Sequence, residues 1–159
     1  MTGLLVAVRL RGHIGLHPDV KKTLELLNLK GANHATIIPD DEAHRGMLRK
    51  VEPYITWGEP NKDTILALLK KMEVKGDGRL SDEVAEKLGL RSLEELAERL
   101  VQQDGETLLK KLKRQNAKPY ARLHPPRKGF KYSIKRPYKD KGEHGYRGQA
   151  INELIRRMV

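Results

Sequence analysis

The chain contains no cysteine, so it can build neither a disulfide framework nor a thiolate zinc site. Aromatic residues make up 4% of it and hydrophobic residues 38%, which is lean for a large core. No apolar run approaches the ~20 residues that a membrane span requires. Met1-Thr2-Gly3-Leu4 leads directly into a strand-like pattern with no basic n-region and no cleavage site, so a cytoplasmic protein is expected. Nucleophile elbow, P-loop and dinucleotide fingerprint are all missing. Arg11-Gly12-His13-Ile14-Gly15 follows a strand as a phosphate loop does, but it lacks the third glycine and the P-loop lysine-threonine pair. His13 and His17 are four residues apart, yet Gly15 and Pro18 place them in a loop rather than on one helix face. Asp40-Asp41-Glu42 and Glu94-Glu95 stand where helix starts favour negative charge, so capping accounts for them. No catalytic residue, cofactor or metal is expected, and the chain reads as a non-enzyme.

What the chain does have is positive charge, unevenly placed. Its 159 residues carry a net charge of +11. Residues 1–72 hold 11 basic and 8 acidic side chains, whereas residues 73–107 hold 5 basic and 10 acidic. The stretch 117–147 then carries ten Lys/Arg against only Asp140 and Glu143. That stretch also holds five of the seven aromatics, Tyr120, Phe130, Tyr132, Tyr138 and Tyr146, together with four prolines. Cations neutralise phosphates and flat rings stack on bases, so RNA is the indicated partner. A plain solvated tail is the competing reading, but such tails are poor in aromatics.

The order of elements is readable from periodicity. Leu4 to Arg11 predicts a strand with Leu4, Val6, Val8 and Leu10 on a core face and Arg9 and Arg11 on the other. Pro18 opens a helix with Val20, Leu24 and Leu27 on its stripe, and Lys30-Gly31 closes it. Ala35 to Ile38 predicts a second strand, after which Asp40 is the expected N-cap of a second helix. Pro53 to Trp57 predicts a third strand. The order β-α-β-α-β with helices on one face implies an α+β, two-layer sandwich. Asn61 is expected to cap a third helix, Gly76-Asp77-Gly78 to turn, and shorter helices to start at Ser81 and at the Ser92/Glu95 capping box. The chain thus divides into a core over 1–60, a helical extension over 61–116 that is acidic over 73–107, a basic aromatic run over 117–147, and a C-terminal helix over 148–159. The last helix, with Ile151, Leu154, Ile155 and Met158 on one side, must return to a packed domain, which makes the run before it an extended loop held at both ends.

Candidate RNA-binding residues follow from this order. Arg9, Arg11 and Lys21 surround the Gly12–Gly15 turn, where backbone amides can meet a phosphate. His13, His17 and His124 are hydrogen-bonding candidates. Arg45, Arg49 and Lys50 share a helix with Gly46, whose missing side chain permits close approach of a sugar-phosphate backbone. Arg122, Arg127, Lys128, Lys131, Lys135 and Arg136, with Tyr132 as a stacking ring, represent the basic run.

Four segments, LLVAVRLRG-IG, RGMLRKVEPYITWGEPN, ARLHPPRKGFK and INELIRRM, together resemble the ribosomal protein L-thirty family of the large subunit, in its long archaeal type, similar to the eukaryotic L-seven proteins. The resemblance spans essentially the whole chain. It implies an antiparallel three-stranded sheet of ferredoxin-like character with helices on one side. It also implies a structural, non-enzymatic role on large-subunit rRNA near the 5S rRNA region, among neighbouring ribosomal proteins. It carries RNA contacts to Arg9, Arg11, Gly12, His13, Gly15 and Lys21, to Arg45, Gly46 and Lys50, and it places Arg122 to Gly129 in the long-form signature. A freestanding RNA-binding regulator or RNA chaperone is the alternative.

Overall fold

In the computed structural model the described residues are 3–12, 14–74, 78–79, 82–87, 89–102, 105–114 and 117–159. Strand β1 (Leu4–Arg9) is the axis of the fold, and all six of its residues are buried. It pairs antiparallel with β2 (His34–Pro39) on one side, Val6 opposite Ile37, and antiparallel with β3 (Ile55–Gly58) on the other, Ala7 opposite Trp57. The α+β class and the expected antiparallel three-stranded ladder are therefore present.

The sheet then continues past that ladder in both directions. Beyond β2 lie β6 (Ala117–Arg122), β4 (Met72–Val74) and β5 (Gly78–Arg79); beyond β3 lie β8 (Gly142–Tyr146) and β7 (Ser133–Pro137). The order is β5-β4-β6-β2-β1-β3-β8-β7. The run 117–147 is thus no extended loop, because three strands come from it. Their cohesion comes from backbone pairing, which needs no apolar period: His34 stands opposite Arg122 and Ala35 opposite Ala121, while β8 runs parallel to β3 with Thr56 beside Gly145.

The two-layer expectation also needs correction, because helices cover both faces. Leu5, Ala7, Ile38, Ile55 and Trp57 pack against Leu24, Leu27, Leu48 and Val51 from α1 (Pro18–Leu26) and α2 (Glu42–Lys50) and the turns that follow them. The alternate residues Leu4, Val6, Val8, Ala35 and Ile37 pack against α3 (Lys62–Lys71), α4 (Asp82–Lys87), α5 (Leu93–Leu100), α6 (Gly105–Arg114) and α7 (Ile151–Met158). An uninterrupted apolar stretch such as Leu4–Val8 is what a strand covered on both faces requires. Ile151, Leu154, Ile155 and Met158 all lie in this second core, so α7 closes the chain back onto the sheet.

Helix ends obey local chemistry. Asp41, not Asp40, caps α2, accepting from the His44 amide at 2.7 Å. Asp40 instead binds the Arg45 guanidinium. Asn61 and Ser92 cap α3 and α5 by accepting from Thr64 and Glu95 amides. Helix α1 stops before Lys30-Gly31, because Asn28 turns left-handed at φ 63° while the Leu29 amide donates back to Leu24 O at 2.9 Å. The expected turn at Gly76-Asp77-Gly78 and helix start at Ser81 fall on or against residues outside those described.

Candidate nucleic-acid interface

The cations expected to meet RNA divide into those the fold uses internally and those it leaves outside. Arg9 belongs to the first group. It is 1% exposed, and its Nε and Nη1 donate to Arg11 O and Leu29 O, each at 2.8 Å. Burial lowers its pKa below the usual arginine value. The expectation of an RNA contact from Arg9 is corrected: β1 is covered on both faces, so its guanidinium is committed to holding the loops at the strand's end.

Arg11 stands just outside, its guanidinium 5.1 Å from the centre of the Tyr54 ring, which is held there by the Leu10 amide donating to Tyr54 O. Gly12 is exposed and a Cβ added to it would meet no atom within 4 Å. Gly15 takes φ 74°, so glycine suits the turn itself. His17 caps α1, its Nδ1 accepting from the Asp19 amide at 3.2 Å. Lys21 is exposed on that helix, and His13 lies outside the described residues.

Helix α2 presents Arg45, Gly46, Arg49 and Lys50. Arg45 is bound by both oxygens of Asp40, which raises its pKa, so it is positioned by the protein itself. Arg49 and Lys50 are exposed, and among the described residues neither has an ion-pair partner. A Cβ at Gly46 would also meet no atom within 4 Å outside the helix's own backbone.

The segment Arg122 to Gly129 is strapped to the end of α7. The His124 and Arg127 amides donate to Met158 O and Arg157 O, at 3.1 and 2.9 Å. The Arg127 Nη2 donates to Arg156 O, the Arg157 Nη2 donates to Arg127 O at 2.8 Å, and the His124 ring nitrogens face Pro125 O and Val159 O. Two backbone amides and the Arg127 guanidinium thus satisfy carbonyls at a helix C-terminus. Lys128 sits at the tip in a left-handed turn, φ 65°, with its side chain exposed, and Arg122 is exposed on β6. Lys131 pairs with Glu153 at 3.6 Å in solvent, and Tyr132 is 55% exposed. Lys135 and Arg136 are exposed on edge strand β7.

Three features were not anticipated from sequence. One is the Arg147–Glu143 pair, whose side chains are 6% and 5% exposed with Nη2 to Oε2 at 2.6 Å. Arg147 also donates to Thr56 Oγ1 and lies 4.9 Å from the Tyr138 ring, so one cation of the basic run serves only to lock β8 to β3. A carboxylate four residues before an arginine in an otherwise basic run was the available signal. The second is the ring of Tyr54 beneath Arg11. The third is a pocket where Trp57, Glu59 and Tyr146 meet α2. Among the described residues no group of three or more His, Asp or Glu is arranged to hold a metal, and no helix is long and apolar enough to cross a membrane.

Residues 5–55 match the family described as ribosomal protein L30p/L7e. The chain is similar to the large ribosomal subunit protein uL30 of Ignicoccus hospitalis, 48% identical over 98% of each chain. It is similar to the uL30 proteins of Hyperthermus butylicus, 47% identical over 98% of this chain and 90% of that one, and of Aeropyrum pernix, 47% identical over 98% and 99%. With an antiparallel β2-β1-β3 ladder, open glycines beside cations, and relatives matched over 90–99% of their length, the chain belongs to the ribosomal protein L30p/L7e family.

Proposed function

We propose that the chain is a structural component of the large ribosomal subunit in the cytoplasm, binding large-subunit rRNA near the 5S rRNA region and supporting assembly without catalysis. The observation that carries this reading is the pair of glycines Gly12 and Gly46. Neither has a positive φ, and neither would clash with any part of the chain if it carried a Cβ. Glycine in a helix interior costs about 1 kcal/mol relative to alanine. Gly46 therefore weakens α2 with no return inside the protein, and close approach by an external backbone supplies the return. Each glycine stands beside cations, the half-buried Arg11 and exposed Lys21 in one case, the exposed Arg49 and Lys50 in the other.

Phosphates are met by Arg11, Lys21, Arg49, Lys50, Arg122, Lys128, Lys131, Lys135 and Arg136, with Tyr132 as a stacking surface. Arg45, His17, His124 and Arg127 stand at the same surface but shape it through their own intramolecular bonds. The acidic side chains exposed on α4 and α5, Asp82, Glu83, Glu86, Glu94 and Glu98, face solvent or neighbouring ribosomal proteins, since like charge excludes them from the phosphate side.

The test is binding of the full chain to a large-subunit rRNA transcript across a salt series. The expected result is log K falling linearly with log salt, and Gly46→Leu weakening binding about tenfold or more while raising helix stability. A slope near zero, or unchanged binding by the Gly46 variant, would overturn the reading. Stoichiometric sedimentation with large subunits is expected, and absence from them favours a freestanding RNA-binding regulator. Cross-links to rRNA remote from 5S would remove the assigned region alone.

A further inference from the structure

We propose that the pocket between α2 and the β3–β8 edge receives one unpaired guanine of the bound RNA. The proposal rests on the RNA-binding reading above and deepens it. The pocket encloses about 340 Å³ and is lined by Leu5, Arg45, Arg49, Trp57, Glu59 and Tyr146. That volume is at the low end for small-ligand sites, roughly 300–1,000 Å³, and suits one ring system rather than a large ligand.

Its walls are of the kind that hold a base. Tyr146 is 43% exposed at the end of a strand whose other four residues are buried. Its ring lies 6.2 Å from Trp57, the two planes inclined by 55°, so Trp57 forms a floor and Tyr146 an open stacking face. Across the gap are the guanidinium groups of α2. Arg45 is immobilised by Asp40, and Arg49 has no acidic partner among the described residues. Arginine planes and aromatic rings are the two surfaces on which splayed bases stack.

Glu59 supplies the selectivity. The Tyr146 hydroxyl donates to both of its carboxylate oxygens, at 2.6 and 2.8 Å, which fixes the carboxylate at the pocket's edge. This bond raises the Tyr146 pKa, so the phenol keeps its proton and keeps donating at neutral pH. Each oxygen retains acceptor capacity. Guanine alone among the four bases presents two adjacent donors, N1–H and the exocyclic N2–H, on one edge. A carboxylate accepts that pair bidentately, whereas uracil, adenine and cytosine offer a single donor group there. Glu59 makes no contact ion pair with either arginine within 4 Å; its charge acts on Arg45 through space, and its oxygens keep room for further donors. Gly46 lies between Arg45 and Arg49 on the same helix, so the backbone attached to the base can run along α2.

The test is a kethoxal footprint, which reads guanine N1 and N2, of a full-length archaeal large-subunit rRNA transcript with and without the full-length protein. One unpaired guanine is expected to lose reactivity on binding. Glu59→Gln and Tyr146→Leu are expected to restore its reactivity and weaken binding on the order of tenfold. Tyr146→Phe keeps the ring but frees the Glu59 carboxylate, and is expected to weaken binding less than Tyr146→Leu while losing part of the protection. Thermal melting of each variant separates loss of the site from loss of fold, and Glu59→Gln, isosteric and at the surface, decides if Tyr146→Leu unfolds. Salt-dependent binding with no protected guanine, or protection indifferent to Glu59→Gln, overturns the pocket assignment and leaves the function standing. Failure of the wild-type protein to bind the transcript overturns both. Protection that appears only when other ribosomal proteins are added assigns the pocket to a protein partner and overturns the base.

Discussion

Strands β1 and β7 both carry arginine and use it in opposite ways. Arg9 on β1 is enclosed between two helical layers, and its charge is spent on backbone carbonyls. Arg136 on β7 lies at the sheet's edge with its charge in solvent. The difference follows from position in the sheet. A central strand is covered on both faces, so any cation on it must find internal acceptors. An edge strand has one open side, where cations also discourage pairing with a second chain. The same comparison separates Arg147 from its neighbours in the basic run. Charge count alone says that ten cations face RNA, whereas the fold withdraws Arg147 to hold β8 against β3.

The largest effect is expected where that withdrawn cation is removed. Arg147→Ala leaves Glu143 buried without its partner, which costs about 3–5 kcal/mol. It also frees Thr56 Oγ1 and loosens the 133–146 strands. Denaturant unfolding is the measurement, and a loss below about 1 kcal/mol would show that the pair does not tie the edge to the centre. Replacing both partners, Arg147→Met with Glu143→Leu, is expected to recover much of the loss. Removing edge cations must act differently. Lys135→Gln with Arg136→Gln is expected to leave stability within about 0.5 kcal/mol. The slope of log K against log salt for rRNA is expected to become shallower by about 0.7–0.9 for each phosphate that is no longer neutralised. Unaltered slopes in the double variant would reassign both side chains to the general field around the protein.

Much of the centre was legible in the chain, and much of the edge was not. The apolar run Leu4–Val8 announces a strand, and the caps Asn61 and Ser92 announce helix starts, because both signals are local. That same run also announced burial on both faces through Leu5 and Ala7, a signal that an alternating pattern with Arg9 and Arg11 obscures. Strand β8 reads Gly-Glu-His-Gly-Tyr, with no hydrophobic pattern at all. Its burial arises from pairing with β3, some ninety residues earlier, and from Arg147 neutralising Glu143. Gly142 has no room for a side chain, since a Cβ there would meet the Arg136 carbonyl. At the candidate interface, exposure of Arg49, Lys50, Lys135 and Arg136 was legible from their place off every apolar stripe. The roles of Arg9, His124 and Arg127 were not, because a charged residue's sequence neighbours do not reveal which carbonyls reach it in space.

A smaller effect tests the cap that orients α2 and therefore Gly46, Arg49 and Lys50. Asp41→Ala removes the acceptor for the His44 amide and is expected to cost about 0.5–2 kcal/mol. That amide bond holds the Asp41 carboxyl below its ordinary pKa, so its contribution is present above about pH 3.8 and is lost as pH falls below that value. An acid-side stability profile that is unchanged by Asp41→Asn would remove the charge from this account and leave only the hydrogen bond.

The smallest expected effect lies between centre and edge, at His34. Its ring stacks on Tyr120 at 5.2 Å with planes 10° apart, and its Nδ1 is buried without a hydrogen-bond partner. Burial lowers its pKa from 6.5, and the positive charges of Arg122, Arg9 and Lys30 lower it further. The folded state therefore takes up the proton less readily than the unfolded chain. Stability from the neutral ring is fully present above pH 6.5 and declines as pH falls below it. His34→Phe keeps a stacked ring and removes the titration, so its stability is expected to fall less than that of the wild type as the pH is lowered from about 6.5 to about 5. Equal pH profiles would show that His34 is not coupled to folding. RNA sharpens the point, because phosphates beside Arg122 and Lys30 offset the charges that oppose protonation. The His34 pKa, followed by NMR, is expected to rise on rRNA binding, whereas a cation cluster that faces no phosphate leaves it where it stands in the free protein.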